Sequence, residues 1–464
     1  MTRSSSYTML DTFEIMGFWF LPGQDINKQG IPGTLKYSPH EIILELNGIF
    51  VEEGTEDGLS FGFVNETKAS IFGFSSKGEY ISMFKCMKIR ESLSSPGYRT
   101  KTYSIDTLLI GNGYVKSLDD NVFRSCSFST TYINAWATYP ILIAETDPIT
   151  RDVLYRVNNL KIKKNQKKIS ISCNKISLKE TYSNKPKTNR DMLCADELIT
   201  FKLNRFFVIK TWNRKKQNHN FLTQQAYTFR QLLTLLIGQP LHDTYFELSH
   251  PAIKRNGKII KKELTCRLFS RQSGLFPDQT KKFSSKDIII PRENIEKDLV
   301  NVINIWFEEN EYFREITDPY IGDFYLPTYV DAQFLNIVRG LEAYHRFYFG
   351  ISKYGKVISL RSKITDLLDF DSLPQTIMEK MFGKSSSKKE KDEKINKFIT
   401  SVIDTRNYLT HRDSKNKNNL LEFLELFQAT LKLELLLRYF IFTRLKINQD
   451  VIENQLVKHY IDET

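Results

Sequence analysis

The side chains best suited to acid–base chemistry in this sequence lie together in one short segment, residues 404–412. Arg406 and His411 are separated by four residues, and Asn407 directly follows the arginine. Histidine exchanges protons near neutral pH, and an arginine guanidinium donates two parallel hydrogen bonds to phosphate oxygens. RNA contains its own nucleophile, so its metal-free cleavage requires a base for the 2′-OH proton and a cation for the phosphate. The segment therefore predicts metal-independent cleavage of RNA.

The spacing also predicts where these residues lie on a helix. At about 100° per residue, Asn407 and His411 share one face, whereas Arg406 lies about 140° from His411. Arg406 can approach His411 only if its side chain wraps around the helix or if the helix ends near His411. The residues that follow include Asp413 and Ser414, which favour turns. We therefore expect the motif in the last turns of a helix.

The same spacing occurs a second time, at Arg214 and His219, so the pattern alone is weakly specific. That pair lies in a polar, basic segment without helical periodicity, and we expect it to be coincidental. The segment 406–411 instead follows an amphipathic helical pattern and precedes a long apolar one. The alternative for His411 is a structural role, in which a histidine at a helix end caps carbonyl groups.

Several segments resemble one family. Residues 406–411 (RNYLTH) resemble the R-polar-x3-H motif of HEPN-domain ribonucleases, in which Asn, Asp or His usually follows the arginine. Residues 334–346 (FLNIVRGLEAYHR) resemble the preceding helix of the ApeA-like branch of HEPN proteins. Segments 17–23 (GFWFLPG), 33–37 and 71–84 (IFGFSSKGEYISMF) resemble the β-rich N-terminal domain of that branch. The resemblance includes both ends of the chain but not residues 195–290.

The resemblance implies an anti-phage defence protein that cleaves RNA during infection, as in abortive infection, with transfer RNA as a first candidate substrate. It implies that His411 is the general base or proton-transfer group, Arg406 the phosphate and transition-state clamp, and Asn407 an orienting hydrogen bonder. The expected products carry 2′,3′-cyclic phosphate and 5′-OH ends. HEPN domains usually dimerise so that two motifs face each other, which implies a composite site and a homodimer or higher assembly.

Six further residues are candidate contributors to the site: Glu342, His345 and Arg346 as supporting residues, and Arg412, Lys415 and Lys417 as RNA-contacting residues. The first three fall within about one turn of a helix, although Glu342 and Arg346 are four residues apart and could simply pair with each other. The three cations after the motif could contact the RNA backbone or belong to a solvated loop.

The elements that carry these residues follow from periodicity. Residues 1–190 are predicted to be β-structure, because short apolar runs are separated by turn residues. The predicted strands are Thr34–Tyr37, Glu41–Leu46, Ile71–Phe74, Tyr80–Phe84, Tyr103–Ile110 and Ser125–Trp136. An antiparallel sandwich or barrel-like sheet is expected. The basic run Lys161–Lys168 is interpreted as a solvated hairpin or edge strand, with nucleic-acid contact as the alternative. The polar segment Ser183–Arg190 is interpreted as a linker.

The middle region, residues 191–290, mixes strand and helix patterns. Strands are expected at 197–203, 206–210 and 245–248, and a helix at Tyr227–Ile237 that ends at Gly238. This region is either a small α+β module or a continuation of the N-terminal domain.

The chain after Pro291 has helical periodicity throughout. The charged, low-complexity segment Ser385–Lys394 is predicted to be a mobile loop. A long helix from about Leu420 to Leu445 and a short one at Asp450–Tyr460 complete an antiparallel helix bundle.

Composition sets the remaining limits. The formal net charge of +12 favours phosphate-rich partners. The five cysteines are far apart and none lies at zinc-ligand spacing, which indicates reduced thiols. No segment approaches the roughly 18 consecutive apolar residues of a membrane span. We therefore expect a soluble, cytoplasmic protein without membrane contact, metal or cofactor, and the resemblance to an anti-phage family implies that the cell is bacterial.

We thus predict an α+β multidomain protein with a β-rich N-terminal domain (1–190), the mixed region 191–290 and an all-α HEPN bundle (291–464). A constantly active RNase would poison its host, so the N-terminal domain is expected to sense a phage-derived trigger or to restrain the bundle. One rival is a non-catalytic HEPN-like module that binds RNA or dimerises. Another is a DNA nuclease, which would require metal ligands that the sequence does not offer.

Overall fold

The computed structural model describes residues 7–50, 66–94, 98–137, 142–146, 153–157, 168–190, 197–255, 258–261, 263–274, 276, 283, 285–326, 328–350, 358–369, 373–384, 387–411 and 419–461. The chain divides into two compact units. The first comprises 1–134, 139–227 and 241–273, and the second comprises 135–138, 228–240 and 274–464. The domain boundaries expected at residues 190 and 290 remain predictions.

The first unit is built mainly from β-strands. They are β1 (Phe13–Phe20), β2 (Ile31–Tyr37), β3 (Ile42–Leu46), β4 (Thr67–Ser75), β5 (Tyr80–Ser94), β6 (Tyr98–Ser104), β7 (Thr107–Gly111), β8 (Ser125–Thr130), β9 (Leu142–Thr146), β10 (Val153–Val157), β11 (Lys168–Ile171), β12 (Ile176–Arg190), β13 (Glu197–Thr211), β14 (Asp243–His250), β15 (Ile253–Arg255), β16 (Lys258–Lys261) and β17 (Leu264–Ser270). A short helix, α1 (Ile26–Gln29), belongs to this unit, whereas α2 (Ile133–Trp136) and α3 (His219–Ile237) contribute residues to both units.

Six antiparallel strands close into a barrel. β1 pairs with β2 and β4, β3 joins β2 to β6, and β5 pairs with both β4 and β6. Side chains alternate along these strands, and the inward set includes Trp19, Leu35, Leu44 and Ile71, none of which is exposed. Gly73 is required beside Trp19, because a Cβ atom there would overlap the indole ring. Apolar side chains therefore fill the barrel interior.

The barrel continues into a larger sheet through one strand. The first half of β5 pairs with β7, and the order then runs β7-β17-β14-β8-β13-β12-β11. Together these strands form a 13-stranded antiparallel sheet within the described residues. The predicted antiparallel β-structure is confirmed, and of the two expected arrangements, a sandwich or a barrel-like sheet, the structure has a barrel that continues into a sheet. The strands β13, β14 and β17 of the middle region lie in this sheet.

Several local predictions are confirmed, among them the hairpin at 71–84 and the strand pair around Ser38. The linker predicted at Ser183–Arg190 is wrong, because this segment is the second half of β12 and pairs with β13. Its proline is tolerated since β11 pairs only with Ile176–Lys179, so Pro186 interrupts no ladder with β11. Residues 161–167 of the basic run lie outside the described residues, and Lys168 begins β11.

Three other strand predictions need correction. The strand expected at Ser125–Trp136 stops at Thr130 because Tyr132 has a φ of 58°, which breaks extended pairing, and α2 follows. The run Tyr103–Ile110 is divided by a turn into β6 and β7. The two strands expected within 197–210 form the single strand β13, because β12 pairs with it along its whole length.

The second unit is helical. After Pro291 its helices are α4 (Arg292–Ile295), α5 (Leu299–Glu308), α6 (Asn310–Tyr325), α7 (Val330–Tyr348), α8 (Leu360–Leu368), α9 (Gln375–Phe382), α10 (Lys388–His411), α11 (Phe423–Arg444) and α12 (Gln449–Ile461). Within α11, every residue from Leu435 to Phe442 is buried, as expected of a helix surrounded by others. A Cβ on Gly340 of α7 would lie 3.1 Å from Leu437, so this glycine allows α7 to pack closely on α11. The predicted all-α bundle is confirmed.

A charged group joins three helices of the bundle. Glu309 precedes α6, and its carboxylate accepts hydrogen bonds from Arg444 of α11 and from the Tyr348 hydroxyl of α7, the latter at 2.7 Å. Burial alone would raise the pKa of Glu309, but the hydrogen bonds from Arg444 and Tyr348 outweigh it and the pKa is lowered. Glu309 is therefore a carboxylate held in its charged form by the fold.

The loop predicted at Ser385–Lys394 is largely helix, because residues 388–394 form the first turns of α10. Ser387 Oγ accepts a hydrogen bond from the Glu390 amide at 3.2 Å, and Lys394 pairs with Glu390 at 2.8 Å. A capping serine and an i,i+4 ion pair thus stabilise a low-complexity sequence as helix. The predicted helix end at Gly238, with φ of 79°, and the two C-terminal helices are confirmed. No helix among the described residues has the length and apolar character needed to cross a membrane.

Candidate active site

The helix α10 carries the motif and is oriented by one apolar stripe. Ile395, Ile399, Val402 and Thr405 are buried at helical spacing, and α10 packs against α7, α8 and α9. On a regular helix, positions 407 and 411 lie about 200° and 240° from Thr405, which turns them away from the buried stripe. The burial stripe therefore presents the motif at the surface of the bundle.

The three motif residues differ in exposure. Arg406 and Asn407 are half-buried, whereas His411 is exposed. α10 continues as helix through His411, the last residue described before position 419. His411 forms no hydrogen bond or ion pair with another described residue, so its imidazole is open to an incoming ligand. No hydrogen bond from His411 to a carbonyl oxygen of a described residue is formed, so these residues give no support to the capping role considered for it.

The guanidinium of Arg406 lies between two acceptors. Its Nη1 atom donates to Asn407 Oδ1 at 3.3 Å, and its Nη2 atom lies 3.8 Å from Glu342 Oε2 on α7. The side chains of Arg406 and Glu342 are 27% and 22% exposed. A guanidinium has five N–H donors, and these two long contacts leave most of them for another acceptor. Arg406 is thus held in place but still able to bind a phosphate group.

Of the three supporting residues predicted on α7, the structure brings Glu342 to the motif. His345 is buried, and its Nε2 atom lies 2.7 Å from Asp366 Oδ2 on α8. Arg346 is exposed and pairs with Glu315 of α6 at 2.6 Å. The Glu342–Arg346 pair considered from the sequence does not form. His345 and Arg346 therefore join helices rather than contact the motif.

Two contacts next to the motif were not predicted. Asn419 Nδ2 donates to Asp404 Oδ2 at 2.8 Å, and the Leu421 amide donates to Thr405 Oγ1 at 3.0 Å. The residues before α11 are therefore tied to the same helical turn that carries Arg406. Asp404 and Thr405, directly before the arginine, are the sequence feature that could have indicated these contacts, because Asp and Thr side chains often form hydrogen bonds with nearby backbone groups. Arg412, Lys415 and Lys417 lie outside the described residues.

Helix α8 is a second feature that the sequence did not indicate. Arg361 Nη2 donates to Thr400 Oγ1 of α10 at 2.8 Å, while Asp366 bonds His345 of α7. α8 thus connects α7, which supplies Glu342, with α10, which supplies Arg406. Its hydrogen bonds to both helices help to set the distance between α7 and α10.

The second Arg–His pair of the sequence has a different environment. His219 begins α3, is buried, and its Nδ1 atom lies 3.0 Å from the Leu118 carbonyl oxygen in the first unit. Burial lowers the pKa of His219. Arg214 lies in a single 3-10 turn, Trp212–Arg214. This histidine has a structural partner that His411 lacks among the described residues.

Metal ligation was tested over the same part of the chain. No three His, Cys, Asp or Glu side chains of the described residues are grouped so that they could hold a metal ion. Cys86, Cys126 and Cys266 are buried free thiols, and Cys173 is an exposed one. The motif side chains within the described residues are a guanidinium, an amide and an imidazole, from Arg406, Asn407 and His411.

Two family models match the chain. ApeA N-terminal domain 1 matches residues 14–306, and Apea-like HEPN matches residues 335–451. The second match contains most of α7 and all of α8 to α11, including Arg406, Asn407 and His411. No curated protein and no solved structure matches the chain.

Proposed function

Because this chain belongs to the ApeA family and has a C-terminal HEPN domain, we propose that it is a metal-independent endoribonuclease of anti-phage defence. The HEPN match supports a nuclease-type defence role. The observation that carries cleavage is the arrangement on α10, where the guanidinium of Arg406 is held by two contacts and the exposed imidazole of His411, two turns or less away, has no partner among the described residues. These are the two groups that RNA cleavage without metal requires.

The proposed reaction uses the RNA as its own nucleophile. His411 takes the proton of the 2′-OH, the 2′ oxygen attacks the adjacent phosphorus, and the bond to the 5′ oxygen breaks. Arg406 donates to the non-bridging oxygens, whose negative charge increases in the transition state. Asn407 accepts from Arg406 and orients it. The leaving 5′ oxygen gains a proton, so the products carry 2′,3′-cyclic phosphate and 5′-OH ends.

This reaction needs one proton acceptor and one proton donor, which favours a homodimer. One chain offers a single motif histidine, and His345 is buried and bonded to Asp366. A second copy would supply its own His411. Support comes from α11, whose first turns expose Phe423 by 74% and Leu424 by 65%, because monomers rarely expose clustered large apolar groups. These residues closely follow Leu421, which is bonded to the motif helix.

The biological setting is part of the same proposal. Cellular RNA is the substrate, with transfer RNA as the first candidate, and the enzyme acts in the cytoplasm where that RNA is made. The net charge of +12 favours binding to a polyanion. We propose that the N-terminal region senses a phage-derived trigger and keeps the HEPN domain inactive until then. A fragment of residues 291–464 that is no more toxic than the full chain would contradict the restraint.

The test is RNA cleavage in EDTA by the full chain, with infected-cell extract added to supply the trigger and with Arg406→Ala and His411→Ala as the active-site variants. His219→Gln is the matched histidine control, and Arg314→Ala, an exposed arginine paired with Asp318, is the arginine control. We expect cleavage and cyclic-phosphate ends from the wild type and both controls, and neither from the active-site variants.

Two other outcomes are informative. Cleavage by both active-site variants at the wild-type rate would assign the motif a structural role. RNA binding or dimerisation without cleavage in the wild type, with infected-cell extract added, would favour the non-catalytic module.

The proposed dimer has its own test. Phe423→Ser should lower both the mass measured by light scattering and the cleavage rate. A monomeric wild type that cleaves RNA would exclude the composite site.

A further inference from the structure

A basic surface lies at one end of the larger sheet, where three neighbouring strands meet. β12 begins directly after Lys175, β13 ends within residues 210–217 (KTWNRKKQ), and β8 begins directly after Arg124. The three strands are antiparallel neighbours about 4.8 Å apart, so these positions lie within about 10 Å across the sheet. The basic surface consists of four exposed lysines, one half-buried arginine and one half-buried tryptophan, namely Lys175, Lys210, Lys215, Lys216, Arg124 and Trp212.

The backbone of the basic surface is held by hydrogen bonds that join its three segments. The Thr211 amide donates to the Arg124 carbonyl oxygen at 3.0 Å, and the Trp212 amide donates to that of Lys175 at 2.9 Å. Lys175 and Asn213 have φ values of 51° and 50°, a conformation that is uncommon outside glycine. Strained residues of this kind are frequent at sites that bind ligands. The cations therefore belong to an ordered loop and not to a freely solvated charged run.

Trp212 differs from the other tryptophans of the chain. The sequence contains four, and the side chains of Trp19, Trp136 and Trp306 are core residues that are at most 1% exposed. Trp212 is half-buried, so part of its indole faces solvent beside the lysines. Tryptophan combines a large apolar ring with a polar N–H group and is enriched where proteins bind partners. Ammonium groups and an accessible aromatic ring are the two components of sites that bind single-stranded nucleic acid without reading its sequence.

We propose that the basic surface binds single-stranded nucleic acid, with the lysines on the phosphates and a base stacked on Trp212. Stacking requires a base with a free face, which a single strand offers and a duplex does not. The lysines are exposed and spread over three strands, which suits the extended backbone of a polymer better than an enclosed small anion. Asp119, whose charge acts on His219, borders this surface on one side. The first unit thus has a nucleic-acid ligand of its own, independent of cleavage by the HEPN domain.

The experiment measures fluorescence anisotropy of labelled oligouridine and oligothymidine, each of about 12 nucleotides, with the full chain at about 0.1 M salt. All proteins carry His411→Ala, so that the proposed cleavage does not consume the RNA. The double variant Lys215→Gln, Lys216→Gln should weaken binding at least about tenfold. It should also reduce the dependence of log K on log salt by about 1.4, because each phosphate contact on a single strand contributes about 0.7.

The matched control is the double variant Lys388→Gln, Lys389→Gln. These two lysines are also consecutive and exposed, and the change in net charge is the same. They lie on α10, 17 residues and therefore about 25 Å along the helix from Arg406. Binding should be within about twofold of the unmodified chain. An equal loss of affinity in both double variants would show that bulk charge binds the probe and would overturn the proposal.

Trp212 supplies a readout that charge alone does not affect. Trp212→Ala should weaken binding at least about fivefold, whereas Trp212→Phe, which keeps an aromatic ring, should retain most of the affinity. Because the other three tryptophans are buried, oligothymidine should quench the tryptophan fluorescence of the chain, and Trp212→Phe should abolish that quenching. Unchanged melting temperatures of the variants separate loss of binding from loss of fold.

The remaining outcomes identify the ligand or overturn the proposal. Tighter binding of oligouridine identifies RNA, and equal binding identifies single strands of either kind. Unchanged affinity in Trp212→Ala, or a duplex that binds as tightly as the single strands, would overturn the proposal because no base would stack on the indole. So would the absence of saturable binding by the chain without further substitutions. Oligothymidine has no 2′-OH, so these results stand even if the protein proves not to cleave RNA.

Discussion

Replacing Thr405 by valine should remove one of the two hydrogen bonds that tie the segment before α11 to the motif helix and leave the Asn419–Asp404 bond in place. Thr405 is 3% exposed, and its Oγ1 atom accepts the Leu421 amide at 3.0 Å. Valine has the same shape but no acceptor, so the Leu421 amide would be left unpaired in a partly buried position. Such a loss costs about 1–3 kcal/mol. For a domain of this size the melting temperature should fall by roughly 2–10 °C.

The matched control is Thr405→Ser, which keeps the hydroxyl and loses one buried methyl group, at about 0.8 kcal/mol. The assay is hydrogen–deuterium exchange of the Leu421 amide, read by mass spectrometry on a peptide that spans residues 419–422. We expect exchange at least about fivefold faster in Thr405→Val than in Thr405→Ser, because loss of the acceptor lowers the opening free energy by about 1–3 kcal/mol. RNA cleavage at 25 °C should also fall in the valine variant, since the chain on the far side of His411 is held less firmly.

Equal exchange protection of Leu421 in the two variants would refute the reasoning, because the hydroxyl would then contribute nothing to holding the segment. A valine variant with fast exchange and unchanged cleavage would refute only the functional part. The hydrogen bond would stand, and the active site would not depend on it.

Three further predictions concern other parts of the molecule. Arg406→Lys should retain less than about one-hundredth of the cleavage rate, measured with a labelled RNA in EDTA, because lysine cannot donate two parallel hydrogen bonds. Gly73→Ala should lower the melting temperature of the first unit strongly, since the added Cβ overlaps Trp19, while a substitution at the open Gly78 of the same hairpin should cost less in packing. The pKa of Glu309 is lower in the folded protein than the ordinary glutamate pKa of about 4.5, so its pairing with Arg444 stabilises the fold at pH values above about 4.5. This stabilisation is lost as the pH falls through the lowered pKa that Glu309 has in the folded protein. Glu309→Gln should therefore be less stable at neutral pH and show a shallower loss of stability between pH ~5 and ~3 in urea titrations.

The local part of the fold could be predicted from the sequence, because it depends on neighbouring residues. The hairpin at 71–84, the helix end at Gly238 and the long helix α11 follow from turn residues and periodicity. Closure of the barrel could not be predicted. It depends on β5, which changes partners along its length, and no local pattern encodes a strand's partners.

The two misassigned polar segments have a common cause. Residues 183–190 and 388–394 are both rich in charged or polar side chains, which an exposed strand, an exposed helix and a loop tolerate equally. Hairpin pairing with the next strand, β13, makes the first segment a strand. The cap at Ser387 and the Glu390–Lys394 ion pair stabilise the second segment as helix.

The candidate site shows the same division between local and long-range information. Arg406, Asn407 and His411 could be selected from spacing because they lie on one helix. Glu342 was among the candidates from the sequence. Whether its carboxylate pairs with Arg406 or with Arg346 depends on how α7 packs against α10, and in the structure it lies beside Arg406. The contributions of α8 join residues 21 and 39 positions apart, and sequence spacing alone does not indicate such contacts.

The barrel also has a consequence for how the protein is made. Its six strands all lie between residues 13 and 104, so a nascent chain carries the whole barrel before most of the larger sheet exists. The sheet instead waits for β17, at residues 264–270, to pair with β7. Domains generally fold as they leave the ribosome, N-terminal part first. Among the described residues the closed barrel has no free edge apart from β5, so it can serve as the template on which the later strands add. The segment that most needs protection from aggregation during synthesis is β7, because its partner β17 is made about 160 residues later.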